Sequence, residues 1–360
     1  MAVPTKVTDP PACLLCVSEA SANGAITGQV VKSGLNSPAA FTFDPSGRIF
    51  YGELKRGRVH ILNPVTGADT IFYTVPNIET AGGEQGLLGI ARHPDYPNPA
   101  YVYLFVTRTI NGVTTNQILR VTNVGGVGTS PKVIINTPAA NFHNSGHIAF
   151  GPDKKLYAVA GDNAKAANAQ SLNTLAGKYL RLNADGSIPT GNPISNSPII
   201  AYGIRNSFGF AFDPQTGRLW DSQNGPACND ELNLVPRTTL TNFAWGPSQT
   251  CSTPPQPPLN TNQDGPNRVL PKFFWSTTVA PTGAAFCQAC QLDSASNGKL
   301  FVGQYNDSRL RRFALNSTRT GFIGNATVYT APGKILSLER APDGRLYLST
   351  PTAIYRLVLS

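Results

Sequence analysis

Charge is scarce in this chain. Asp, Glu, Lys and Arg make up 14% of its 360 residues, against about 25% in an ordinary globular protein. There is one Met, and runs of Ala, Glu and Lys are few, so long helices are not expected. No apolar stretch approaches the roughly 18 residues that a membrane-spanning helix needs. The first 20 residues lack a charged segment followed by an apolar one, so they do not read as an intact signal peptide. There is no phosphate-cradling Walker loop, no H-E-x-x-H helix and no G-x-S-x-G nucleophile elbow. A nucleophilic serine therefore has no support from a motif.

What the chain has is apolar residues (41%) and turn formers, 34 Gly and 30 Pro. The first excludes intrinsic disorder and the second points to many short elements. The net charge is +9, but the basic residues are scattered. The one local cluster, Arg309, Arg311 and Arg312 with Arg319, has no interleaved aromatics, so nucleic acid is not an expected partner. Six cysteines form three sequence pairs, Cys13/Cys16, Cys228/Cys251 and Cys287/Cys290. An even count suits disulfides and an oxidising compartment, periplasmic or extracellular. Disulfides linking one C-x-x-C pair to the other are the favoured reading. A four-thiolate zinc site and vicinal or free thiols stay open.

Self-similarity organises the sequence. Phe41-Thr-Phe-Asp-Pro-Ser-Gly-Arg-Ile-Phe-Tyr, Ile148-Ala-Phe-Gly-Pro-Asp-Lys-Lys-Leu-Tyr, Phe210-Ala-Phe-Asp-Pro-Gln-Thr-Gly-Arg-Leu-Trp and Leu338-Glu-Arg-Ala-Pro-Asp-Gly-Arg-Leu-Tyr share one pattern. Looser copies begin at Ile90 and Ala295. Each reads as strand, Pro/Asp/Gly turn, strand. Further strands such as Arg58–Leu62 and Gln117–Val121 bring each copy to about four. Six such hairpins predict an all-β, six-bladed β-propeller of four-stranded antiparallel blades. It is expected as a single domain over 1–360, with segment 1–34 closing the ring with Ala353–Val358 or packed against it. The Pro-rich stretch from Cys251 to Pro271 is then an excursion from a blade.

Propellers place ligands at the axis mouth, in loops between strands. Three polar loops precede their repeats at similar offsets: Gly82-Gly-Glu-Gln-Gly, Asn141-Phe-His-Asn-Ser-Gly-His and Ala201-Tyr-Gly-Ile-Arg-Asn-Ser. They should converge at one end. His143, one of four histidines, suits a general base near neutral pH. Glu84 could assist that base or bind a cation, and Arg205 with Asn206 offers a fork of donors. Carbonyls of the Gly225-Pro226 turn suit Ca²⁺, with Asp230 or Glu231 able to hold a second ion. Asn260-Thr-Asn-Gln-Asp-Gly is only half an EF-hand loop. His60 and His93 read as strand and turn residues, and His147 as structural.

Gly83-Glu-Gln-Gly-Leu-Leu-Gly-Ile-Ala-Arg-His-Pro-Asp-Tyr, His143-Asn-Ser-Gly-His-Ile-Ala-Phe-Gly-Pro-Asp, Leu175-Ala-Gly-Lys-Tyr-Leu-Arg-Leu-Asn-Ala-Asp-Gly-Ser-Ile-Pro and Ala201-Tyr-Gly-Ile-Arg-Asn-Ser-Phe-Gly together resemble the glucose/sorbosone dehydrogenase family. That resemblance, over roughly residues 35–360, implies a six-bladed propeller. It also implies pyrroloquinoline quinone (PQQ) and Ca²⁺ as cofactors, a sugar or related alcohol as substrate and an external electron acceptor. By the same resemblance His143 is the base, Glu84 a polar partner, and Arg205, Asn206, Lys334 and Trp275 hold or cover the quinone. Gly225 and Pro226 hold its Ca²⁺, and Glu231 matches a structural calcium carboxylate. Leu336 stands where the family has the second Arg of an Arg-x-Arg, and Trp275 is shifted by one position. These departures keep two alternatives in view: a calcium-stabilised propeller binding glycan or protein without redox chemistry, and a Ca²⁺-assisted lactonase or hydrolase.

Overall fold

The computed structural model describes residues 24–248, 251 and 262–360. Its strands form six sheets arranged as a propeller. In chain order the first blade is Pro38–Phe43, Ile49–Glu53, Arg58–Leu62 and Asp69–Thr74. The second is Leu87–Arg92, Tyr101–Ile110, Val113–Val124 and Val127–Pro138. The third is Ser145–Phe150, Leu156–Ala160, Lys178–Leu182 and Ile199–Tyr202, with the two-residue Thr241–Asn242 added parallel at its edge. The fourth is Ser207–Phe212, Leu219–Gln223, Asp230–Val235 and Phe273–Trp275. The fifth is Pro281–Phe286, Leu300–Gln304, Arg309–Leu315 and Phe322–Thr330. The sixth takes Ser337–Arg340, Leu346–Thr350 and Ala353–Leu359 from one end of the chain and Ile26–Ser33 from the other. That last pairing runs antiparallel from Ile26 opposite Leu359 to Ser33 opposite Ala353, so the part of the 1–34 segment that is described closes the ring.

Side-chain alternation explains why the sheets stack. Successive residues of a strand point to opposite faces, and here each face meets a different neighbour. Ile49 and Tyr51 pack toward the sixth blade while Phe50 packs toward the second. Tyr103 and Phe105 face the third blade, and Val102, Leu104 and Val106 face the first. Leu156 and Ala158 look back to the second blade, and Tyr157 and Val159 look on to the fourth. A strand buried on both faces must read as a continuous apolar run, which Leu156–Ala160 does. The buried apolar residues accordingly fall into six clusters, one at each junction.

The first strands of the blades line the axis and touch one another in a closed cycle. Five of their six hairpins carry a register shift at the opening residues, as between Leu87 and Gly89 and between Ser207 and Gly209. Such bulges bend a strand and re-aim its side chains. Close approach between blades also demands glycine there. A Cβ on Gly209 would lie 2.0 Å from the Thr282 carbonyl oxygen.

Of the two disulfides among the described residues, one fits a stapled excursion and the other departs from the favoured pairing. Cys228 and Cys251 are disulfide-bonded, which tethers the excursion. Cys287 and Cys290 bond to each other rather than to another pair. They face one another across a tight turn with Cα atoms 5.1 Å apart, within ordinary disulfide reach. Cys13 and Cys16 lie outside the described residues, as does part of the Asn260 loop. No helix among the described residues is long and apolar enough to cross a membrane.

Two expectations follow. Gly209→Ala forces the fourth and fifth blades apart and should lower stability by about 1–3 kcal/mol in urea unfolding. The second concerns Asp221, whose carboxylate is wholly buried and accepts hydrogen bonds from Tyr179 and Ser207. Burial pushes it up to about 6, above its unfolded value near 4. Its contribution is therefore fully present below about pH 4 and lost as pH rises through 6. Asp221→Asn should flatten the stability profile between about pH 4 and 6, read by thermal melting across pH.

Candidate functional site

The bulged starts of the inner strands open into an axial cavity of about 540 Å³. Its wall combines residues from loops that precede first strands (Glu84, His143, Arg205) with residues from loops that follow second strands (Leu54, Asn224, Tyr305). In an antiparallel blade both kinds of loop emerge at the same end. The three polar loops do converge, because they occupy equivalent places in successive blades.

His143 sits in left-handed backbone conformation with φ +57°, an uncommon state for a residue with a Cβ. Two carboxylates hold it there. Its backbone N–H donates to Glu84 Oε2 at 2.7 Å. Its ring Nδ1 lies 2.7 Å from Asp162 Oδ1. Asp162 is buried, and it also accepts the indole N–H of Trp245 at 2.7 Å and the Ala164 amide at 2.8 Å. A carboxylate facing Nδ1 makes that nitrogen the donor and leaves the Nε2 lone pair free as a base. His143 is among the residues lining the cavity.

Glu84 binds three donors from two further blades. Besides the His143 amide, Oε2 accepts the Asn144 amide at 3.4 Å and Asn206 Nδ2 at 3.1 Å. Asn206 in turn accepts from the Ser145 amide and hydroxyl, each at 3.1 Å. Glu84 thus ties the backbone of His143 and Asn144 to the Asn206 side chain. Arg205 lines the cavity with its guanidinium 5.3 Å from the Trp245 ring centroid. One arm donates to the Asn224 carbonyl at 3.2 Å. Its Nε is buried with no hydrogen-bond partner, and so is Oδ1 of neighbouring Asn224. Burial lowers the Arg205 guanidinium from its usual range, against the pull of Asp162, Glu84 and Asp230.

Gly225 and Pro226 also line the cavity. Their turn is fixed by Asp230, which accepts the Gly225 amide at 2.7 Å and the Val279 and Ala280 amides at 2.6 and 2.7 Å. Burial raises the Asp230 carboxyl despite these donors. No cluster of three or more His, Cys, Asp or Glu side chains is set to hold a metal among the described residues. A cation at this turn must rely on carbonyl oxygens.

Three expected site residues do not line the cavity. Trp275 is 7% exposed and packs edge-on against Phe273 and Phe313 in the core between the fourth and fifth blades. It sits on the last, outermost strand of its blade, far in the sheet order from the axis. Glu231 is buried one residue beyond Asp230 and so faces away from it. Its carboxylate accepts amide donors from Asn233 and Asn262 at 3.2 and 3.1 Å. Lys334 is exposed, with its ammonium 4.3 Å from the ring centroid of Tyr305, which does line the cavity. Among the other histidines, His147 packs edge-on against Phe210, and burial holds it down to about 4, so it is neutral at pH 7. His93 accepts the Asp95 amide in its turn. The reading from sequence missed Asp162 and Trp245. Asp162 follows the second strand of the third blade, in a loop that carries no motif.

The fold is a six-bladed propeller with a carboxylate-held histidine and a half-buried arginine at its axis. The chain belongs to the glucose/sorbosone dehydrogenase family, whose model matches residues 35–358. It is 34% identical over 249 residues to quinoprotein glucose dehydrogenase B of Acinetobacter calcoaceticus, an overlap of 60% of this chain and 52% of that enzyme. The match therefore spans about half the length of that relative. It is 26% identical over 367 residues to the aldose sugar dehydrogenase YliI of Escherichia coli K12, covering 94% of each. The PQQ-bound aldose sugar dehydrogenase of Streptomyces coelicolor matches with a TM-score of 0.79 at 28% identity, covering 94% of this chain and 99% of that one.

Because Glu84 is the shared acceptor of three donors, Glu84→Ala should cost roughly 1–3 kcal/mol in denaturant unfolding. Glu84→Gln, which keeps one acceptor oxygen, should cost less.

Proposed function

We propose that this protein is a PQQ- and Ca²⁺-dependent oxidoreductase that oxidises an aldose sugar or related alcohol. The observation that carries this reading is the pairing of His143 with Asp162 beside the unpartnered Nε of Arg205, all at one cavity. A cavity of this size suits a planar tricyclic ligand together with a monosaccharide. The donor set suits an anionic cofactor carrying a cation. Arg205 offers a buried N–H that lacks an acceptor, and Asn224 Oδ1 and the Gly225 and Pro226 carbonyls are oxygen ligands of the kind Ca²⁺ takes. Arg205, Asn206 and, from the rim, Lys334 would hold the quinone's carboxylates and carbonyls.

Bound PQQ supplies a two-electron acceptor for the hydride from the sugar carbon, and an external acceptor reoxidises it. The protein's own part is acid–base and positional. His143 Nε2 takes the hydroxyl proton from the sugar. Asp162 keeps Nδ1 protonated and stabilises the imidazolium that forms. Glu84 fixes the backbone from which the ring projects. The Arg205 guanidinium over Trp245 places positive charge where a negative ligand is desolvated. The two disulfides suit an oxidising compartment, so the protein belongs in the periplasm or outside the cell.

One observation favours a second reading. Leu336 lines the cavity, an apolar side chain where a second cation would grip the cofactor. A propeller that keeps calcium and binds glycan or protein without redox chemistry fits that feature. Adding PQQ and CaCl₂ to purified protein and following dye reduction over a panel of aldoses separates the two. Turnover is expected, and His143→Ala should lower kcat about 10²- to 10⁴-fold with PQQ binding retained. No turnover together with no calorimetric PQQ binding overturns the dehydrogenase reading. Glycan binding that survives His143→Ala supports the second.

A further inference from the structure

Lys55 lies in the loop between Ile49–Glu53 and Arg58–Leu62 of the first blade, and nothing in the sequence pattern draws attention to it. Its ammonium Nζ donates to four main-chain carbonyls: Gly82 at 2.6 Å, Gln85 at 2.8 Å, and Thr80 and Gly83 at 3.2 Å. An ammonium has three protons, so the acceptors outnumber the donors. Several carbonyl oxygens turned onto one centre are the surroundings of a cation, and here a side chain supplies it. Without it the carbonyl dipoles would face one another with no compensating charge.

We propose that Lys55 is a positioning residue for the candidate site, fixing the Gly82–Gln85 turn so that Glu84 reaches the His143 amide. Glu84 stands between two of the caged carbonyls, Gly83 and Gln85, so the cage sets the direction in which its side chain leaves the turn. Hydrogen bonds also restrain that stretch: the Glu84 amide donates to the Asn141 carbonyl at 2.9 Å, and Asn144 Nδ2 donates to the Glu84 carbonyl at 3.2 Å. The Gly82 amide donates to the Gln85 side chain at 2.7 Å, and the Leu87 amide donates to the Leu54 carbonyl at 2.9 Å. Among the described residues, the Lys55 ammonium is the charged group that ties the first blade's loop to the turn that carries Glu84. Burial lowers Lys55 from its usual value, while Glu79 and Glu84 favour its charge.

This inference concerns the same site as the function proposed above, but its test needs neither cofactor nor turnover. Hydrogen exchange of the segment containing the His143 and Asn144 amides is measured by mass spectrometry in the protein without added cofactor. Lys55→Met, which keeps the chain length and removes the charge, should speed that exchange roughly ten- to hundredfold. Glu84→Ala should produce the same change. In Lys55→Ala, added ethylammonium should refill the cage and restore protection. If Lys55→Met does not fold, Lys55→Gln, with two donors left, is measured instead. Wild-type exchange in the lysine variant overturns the proposal. So does a loss of protection that ethylammonium leaves unchanged, because the effect then does not come from the caged charge.

Discussion

Ring closure is the constraint on which the rest depends. No blade can cover both of its own faces, so each junction core exists only while both neighbours are present. The antiparallel pairing of Ile26–Ser33 with Ala353–Leu359 completes the sixth blade and so the cycle. Closure also fixes the axis, and the axis fixes which loops meet. The functional cavity is a by-product of geometry that is set by apolar packing some distance away.

Three blades are then bound together by one carboxylate. Glu84 arrives ahead of the second blade, His143 and Asn144 ahead of the third, and Asn206 ahead of the fourth. Glu84 is half-buried and accepts N–H donors from these loops at once. It converts the loose ends of three sheets into one rigid wall. On that wall a histidine can be held in a backbone state it would not choose alone.

Much of the architecture was legible in the sequence. The Pro/Asp/Gly turns at Asp44, Asp153, Asp213 and Asp343 mark hairpins because each turn needs those residues locally. The copy near Ala295 was only half visible. There the connection from Phe286 to Leu300 is a long disulfide-bearing loop instead of a tight turn, so only the second strand kept the pattern. Among the residues that line the cavity, Glu84, His143, Arg205 and Asn206 were legible because their loops are polar and come at a repeating offset, and Gly225 and Pro226 because their turn offers carbonyls. Trp275 was misplaced because an aromatic near the right position says nothing about which face of a sheet it occupies. Asp162 and Lys55 escaped because their roles are set by partners distant in the chain, and no local pattern records such a partner.

The closing strand has one more consequence. The Ala25 amide donates to the Ser360 hydroxyl, and the Ser360 amide donates to the Ala25 carbonyl. Positions far apart in the chain are therefore immediate neighbours in space. A peptide splice joining them, with a new opening cut in the exposed turn around Val65, would leave all six sheets with the same partners. What this architecture specifies is a cyclic order of blades, and the point at which translation enters the circle is free to move.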